Sequence, residues 1–259
     1  MTKRKREMAH SRPVTAVRPQ GGIWIYGDHA VRAALANPSR TFQRLLVAGD
    51  PPSPLPGGLS VERVARAEID SLLPRGAVHQ GVALQAGRLP RQDVGVLLDI
   101  GQGRRAVAVM LDQVTDPQNV GAVLRSAAAF GAAGLIVQDR HAPEESGALA
   151  KAASGALEAV PVIRVPNLSR ALDEMKSAGW WAVGLDQEGN TKLEDLRGHE
   201  KVVLVMGAEG AGMRRLVREH CDLIAAIPMA QSNVSSLNVS NAAAIALYVL
   251  AQGARVAKD

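Results

Sequence analysis

The sequence predicts an α/β protein in two parts, a small α/β domain followed by a larger domain on a parallel sheet. Three observations carry this. From residue 105 onward, short continuous apolar runs alternate with helical segments, the pattern of a parallel sheet covered on both faces. A stretch over 89–104, with Pro90 and mixed polarity, separates that region from a shorter set of elements before it. Charge is also split. Residues 1–91 hold 14 Lys/Arg against 6 Asp/Glu, whereas residues 92–259 hold 16 against 19.

In chain order, residues 1–21 are polar and basic and carry two prolines, which predicts a disordered basic extension. Residues 22–88 form the small domain. Strands are expected at 23–26, 44–47 and 82–85, with helices at 29–36, opened by Asp28 as N-cap, and at 62–73. Residues 50–58, with four prolines and two glycines, form a loop. Residues 89–104 are expected to be a linker. Residues 105–259 form the larger domain. Its strands are expected at 106–111, 135–137, 160–165, 181–185, 202–206 and 223–227. Its helices are expected at 119–130, 147–152, 168–177, 214–219 and 237–252.

Composition narrows the function. A hydrophobic share of 47% is enough to build a core. A single cysteine, Cys221, excludes a disulfide within the chain and argues against a zinc cluster. It reads as a small inert residue. No apolar run reaches the roughly 18 residues a membrane span requires, and the first residues lack the apolar core of a signal peptide. A cytoplasmic protein without a metal is expected. The basic first third suits a polyanion such as RNA. With only 3% aromatic residues, phosphate contacts should outweigh base stacking.

Sites in parallel sheets lie beyond the carboxyl ends of the strands, and three segments there carry polar chemistry. In 116–130 a strand ends, Pro117 follows, and a helix begins near Asn119. Arg125, six residues on, lies within about 120° of Asn119 around the helix. It reads either as a surface arginine or as a phosphate clamp or active-site cation. In 205–214, Gly207, Gly210 and Gly212 bracket Glu209. The loop is either a plain tight turn or one that lets a ligand approach the backbone. Its spacing fits neither the dinucleotide fingerprint nor a phosphate-binding loop. In 227–243 a strand runs into a loop dense in Ser and Asn. Ser236 or Asn238 could cap the next helix, yet the run holds more hydroxyls and amides than capping needs. A nucleotide-dependent oxidoreductase would want a glycine fingerprint after the first strand, and 112–121 offers none.

Together these segments resemble the SpoU branch of the SPOUT RNA methyltransferases. Asp116, Pro117, Asn119, Gly121 and Arg125 resemble its first motif. Gly207, Glu209, Gly210 and Gly212 resemble its second, and Ser235 through Ser240 its third. Tyr26 to Val31 and His79 to Ala83 resemble pieces of that family's substrate-binding domain.

The resemblance implies a C-terminal trefoil knot, which general topology rules would never suggest, and an L30e-like first domain. It implies S-adenosylmethionine as cofactor, held around Gly207, Ile227 and Leu237, and a homodimer with the site near the subunit interface. The implied reaction is methylation of the ribose 2′-hydroxyl of a guanosine in 23S rRNA. Alternatives are a tRNA ribose 2′-O-methyltransferase and a catalytically inactive RNA-binding or ribosome-assembly protein, although Asn119, Arg125, Glu209 and Asn238 are all retained. The implied catalytic set is Arg125, Asn119, Glu209, Ser236 and Asn238. A guanidinium, with a pKa above about 12, is a poor base, so Arg125 is expected to polarise the hydroxyl or hold the adjacent phosphate. RNA contacts are expected from Arg32, Arg40 and Arg44. The loop 230–235 is one residue longer than that family's usual form.

Overall fold

A computed structural model describes residues 22–101, 105–230 and 236–255. The expected basic extension, part of the linker, and most of the lengthened Ser/Asn loop, with Ser235, lie outside these residues.

The first domain runs β1 (Ile23–Tyr26), α1 (Asp28–Ala36), β2 (Phe42–Val47), β3 (Val61–Arg63), α2 (Arg66–Leu72) and β4 (Val82–Ala86), with sheet order β1-β4-β2-β3. The helix expected over 62–73 is shorter and preceded by a strand. Val61 to Arg63 pair in parallel with Leu45 to Val47, and the Glu62 carboxylate takes Arg44 Nη2 at 2.7 Å. A ladder with β2 outweighs the helical spacing that these residues share with α2. Asp28 is the first residue of α1 rather than its cap, and the residue before it is Gly27.

The expected linker is structured over most of its described part. It contains α3 (Gly95–Ile100), where Leu97 is fully buried, and Gln92 bridges to Ile163. The larger domain follows with β5 (Ala106–Asp112), α4 (Pro117–Ala129), β6 (Gly134–Gln138), α5 (Gly147–Ala153), α6 (Ala156–Ala159) and β7 (Val162–Val165). Then come α7 (Leu168–Ser177), β8 (Trp181–Leu185), β9 (Thr191–Lys192), a 3₁₀ turn (Leu193–Gly198), β10 (Lys201–Gly207), α8 (Arg215–Glu219), β11 (Leu223–Ala226) and α9 (Val239–Arg255).

All seven strands are parallel, in the order β7-β6-β5-β10-β8-β11-β9. Alternate side chains feed opposite faces. Val109, Leu111, Leu135, Val137, Leu204 and Met206 pack beneath α4, α5 and α9. Met110, Ile136, Val203 and Val205 pack with Leu97, Leu172, Met175 and Val217 on the other side. Late in the chain, β10 inserts between β5 and β8. All carboxyl ends therefore open on one edge, with β5 and β10 side by side.

The first domain shares the core of the larger one. Ile25, Val31 and Leu84 belong to the same apolar cluster as Leu149 and Ala153. A Cβ on Gly147 would overlap Trp24 and Tyr26, so α5 lies directly on β1. Arg40 locks this junction. Its side chain is fully buried and donates to Glu158 (2.7–3.1 Å), to Glu145, and to the Gly87 carbonyl at 2.7 Å. Burial alone would lower its pKa, but the hydrogen bond to Glu158 and the two carboxylates outweigh burial and hold it above the usual arginine value. The expectation that Arg40 contacts RNA is thus corrected: no phosphate can reach it. Arg40→Met leaves two nearly buried carboxylates without a partner. It should cost about 3–5 kcal/mol of stability, as for other broken buried pairs, measured by urea denaturation. A loss under about 1 kcal/mol would show that solvent relieves the pair.

Candidate active site

Helix α4 starts where the chain chemistry demands. Asp116 Oδ1 accepts from the Gln118 N–H at 3.0 Å, and Pro117 needs no donor partner in the first turn. The first-turn residue Asn119 is thereby held at the carboxyl end of β5.

The glycine loop follows β10, whose Gly207 pairs with Asp112 of β5. Ala208 bridges to Gly212, and a Cβ on Gly207 would overlap the Gly212 carbonyl carbon. Gly210 and Gly212 sit at φ of 76° and 66°, where a side chain would be strained. The loop turns Glu209 outward. Asn238, just before α9, caps that helix and also serves the site. Its Oδ1 accepts from the Ser240 N–H at 2.9 Å, while its Nδ2 donates to Asn119 Oδ1 at 3.0 Å and to Glu209 Oε1 at 2.5 Å. Asn119 Nδ2 donates to the same Glu209 oxygen at 3.2 Å. One residue from each of the three segments thus meets in a single polar knot of side chains.

Beside it lies a cleft of about 540 Å³. Gly207, Ile227, Leu237 and Ser236, all singled out from sequence, line it, together with Leu185 and Met206. Main chain and apolar side chains, with the carboxylates of Asp186, Glu188 and Glu209 also in its lining, suit a nucleoside with a cationic group. Gly207 has no room for a Cβ because the backbone of Gly212 and Met213 packs against it, so the glycines set the shape of this wall of the cleft.

Arg125 is the exception. It lies on the exposed face of α4, does not line the cleft, and its side chain has no hydrogen bond or ion pair with any described residue. Arg32 and Arg44 remain half exposed, but each has a partner. Arg32 pairs with Asp28 at 2.8 Å. Arg44 pairs with Glu62 and stands 6.0 Å from the centre of the Trp24 ring. The hydrogen bond between them raises the Arg44 pKa and lowers that of Glu62. Six of the 14 basic residues of the first third lie in residues 1–21. The remainder of the domain is therefore less positive to an approaching polyanion than its composition suggests.

Sequence reading missed Asp112, Gln138 and Arg214; Arg214 donates to both of the others beside the loop. A carboxylate closing the apolar run 106–112 was the available signal. Cys221 is partly buried, and burial, reinforced by the neighbouring Asp222, pushes its thiol up to about 12. At pH 8 its thiolate fraction is then on the order of 10⁻⁴. Folded protein should resist iodoacetamide at that pH, and modification within minutes would refute the assignment. Among the described residues there is no His/Cys/Asp/Glu group able to hold a metal, and no helix is long and apolar enough to cross a membrane.

Comparison with known proteins matches this geometry. The SpoU rRNA Methylase family matches residues 106–248, and the RNA 2′-O ribose methyltransferase substrate binding family matches residues 24–92. The 23S rRNA (guanosine-2′-O-)-methyltransferase RlmB of Vibrio parahaemolyticus is 40% identical, over 87% of this chain and 94% of its own. RlmB of Xylella fastidiosa is 41% identical with the same coverage. An uncharacterized tRNA/rRNA methyltransferase of Mycobacterium avium is 38% identical over 76% of this chain and 64% of its own. Among solved structures, the SpoU methyltransferase AviRb from Streptomyces viridochromogenes superposes with a TM-score of 0.75 at 26% identity, covering 92% of this chain and 91% of that one. The same protein is also known in complex with the cofactor AdoMet. Family match, shared length and the convergence of three motifs on one cleft agree: this chain belongs to the SpoU rRNA methylase family.

Proposed function

We propose that this protein transfers the methyl group of S-adenosylmethionine to the ribose 2′-hydroxyl of a guanosine in 23S rRNA. The observation that carries this is the convergence of Asn119, Glu209 and Asn238 beside the cleft, in a chain about 40% identical to two RlmB enzymes along nearly their whole length. Gly207, Ile227 and Leu237 would hold the cofactor, which supplies a methyl group on a sulfonium for in-line attack. Positioning then supplies much of the rate. Glu209 orients the attacking hydroxyl, with Asn119 and Asn238 fixing the carboxylate, and Ser236 hydrogen-bonds the ribose at the mouth of the cleft. Arg125 polarises that hydroxyl or anchors the adjacent phosphate.

Because Arg125 stands outside the cleft of its own chain, this reading assigns it to the site of a second copy. Exposed Ile245 and Tyr248 on α9, with Tyr248 edge-on to Phe130 at the end of α4, support a homodimer through that face. The late insertion of β10 between β5 and β8 supports a trefoil knot, and the four-stranded first domain supports an L30e-like RNA-binding module. Arg32 and Arg44 are its RNA contacts. The enzyme acts in the cytoplasm, where ribosomes are built.

The test is to map ribose methylations in rRNA and tRNA from a strain lacking the gene, with labelled-cofactor transfer by the purified protein. A single guanosine of 23S rRNA should lose its methyl group and regain it on incubation. Loss in tRNA alone would favour tRNA ribose methylation, the reading that the mycobacterial relative's name also admits. No transfer to either RNA would leave a binding protein.

A further inference from the structure

Asp112 is the one acidic side chain among the described residues that is fully buried, and the mechanism above does not use it. It ends β5 opposite Gly207, where the glycine loop begins. Its Oδ2 accepts from the Arg214 backbone N–H at 2.8 Å, and its Oδ1 accepts from Arg214 Nε at 2.8 Å. Arg214 Nη2 stands 2.7 Å from that same Oδ1 and donates to Gln138 Oε1 at 2.6 Å. Gln138 Nε2 in turn donates to the Pro166 carbonyl at 3.2 Å. The loop from 207 to 214 therefore starts and finishes on one residue. Its start is tied to Asp112 by the β5–β10 ladder and its end by the carboxylate. Gln138 and Pro166 extend the tie to the ends of β6 and β7.

Glu209 lies between these two ties. It is exposed, and its neighbours Gly210 and Gly212 add backbone freedom rather than restraint. Its position depends on where the loop is fastened. We propose that Asp112 and Arg214 are a positioning pair for methyl transfer, clamping the glycine loop so that Glu209 meets Asn119 and Asn238. Arginine suits the task because its planar fork serves the Asp112 carboxylate and Gln138 together, which a lysine cannot do. The inference rests on the reading of Glu209 as the group that orients the substrate.

The experiment uses the full chain carrying Arg214→Lys, Asp112→Asn or Glu209→Gln. AdoMet-binding sites are counted by calorimetry, so that turnover is expressed per folded site. RNA affinity is measured separately. Arg214→Lys should lower turnover per site about tenfold, since misplacement by ~1 Å can cost up to about 100-fold. Asp112→Asn should lower it further. RNA affinity should stay within about twofold, because no phosphate contact is removed. Millimolar guanidinium should restore part of the turnover of Arg214→Ala, which a general loss of stability would not allow. Unchanged turnover per site in Arg214→Lys overturns the proposal, even if Asp112→Asn fails to fold. So does an RNA affinity that falls as far as turnover, which would make the partly exposed Arg214 an RNA contact. If Glu209→Gln keeps full turnover, the reading of Glu209 itself fails. If Glu209→Gln is slow and Arg214→Lys is not, only the clamp fails.

Discussion

Arg125→Ala should remove nearly all methyl transfer while leaving AdoMet affinity within about twofold, because a lost charge-stabilising donor costs about 10²–10³ in turnover. The separation follows from placement. Arg125 is exposed on α4 and lines no part of the cleft formed by Gly207, Ile227 and Leu237. Its removal therefore takes no wall from the cleft of its own chain. On the proposed function the loss falls on transfer, where Arg125 of a second copy would stabilise the hydroxyl as it gives up its proton. Arg125→Lys should recover only part of the rate, since an ammonium cannot offer a planar pair of donors. Single-turnover transfer and calorimetry with AdoMet measure the two effects separately. Equal losses of affinity and turnover would place Arg125 in cofactor binding instead.

Gly207→Val should abolish AdoMet binding, with a loss of at least about 100-fold expected when a packed backbone must shift. The Cβ alone would overlap the Gly212 carbonyl carbon and crowd the Met213 nitrogen. Both are main-chain atoms, so no side chain can swing aside. The bridge between Ala208 and Gly212 would open, and with it the wall of the cleft and the stance of Glu209. Gly198→Ala is the matched control, since a Cβ there meets nothing within 4 Å. It should bind AdoMet normally. Cofactor affinity surviving in Gly207→Val would mean that the loop does not form the cofactor wall.

Deletion of residues 1–90 is a poor test of RNA binding, because it removes Ile25, Val31 and Leu84 from a core shared with Leu149 and Ala153. Arg32→Glu and Arg44→Glu test the same idea on a folded protein. Each should weaken RNA binding and flatten its salt dependence. Equal RNA affinity in both variants would move the contact surface elsewhere.

The sequence by itself determined the elements whose causes are local. Apolar runs marked β5, β8 and β10, Asp116 and Pro117 began α4, and the glycines of 207–212 announced a loop that approaches backbone. Period and capping act over a few residues, so one strand of text suffices to read them. The motif residues were legible for the same reason, as types at fixed spacing. Only the tertiary structure decided what lies far apart in the chain. It inserted β10 between β5 and β8, joined Asn119 to Glu209 and Asn238, and gave 62–63, expected as the start of a helix, to a strand on the edge of β2. It also sorted the arginines. Arg40 and Arg125 carry the same charge in the sequence, yet one is sealed between Glu145 and Glu158 and the other faces solvent. Burial decides the role of a charge, because a desolvated cation must find its partner inside the fold. Arg40 finds its partners at positions 145 and 158 and Arg214 its partner at 112, distances that no local pattern can encode.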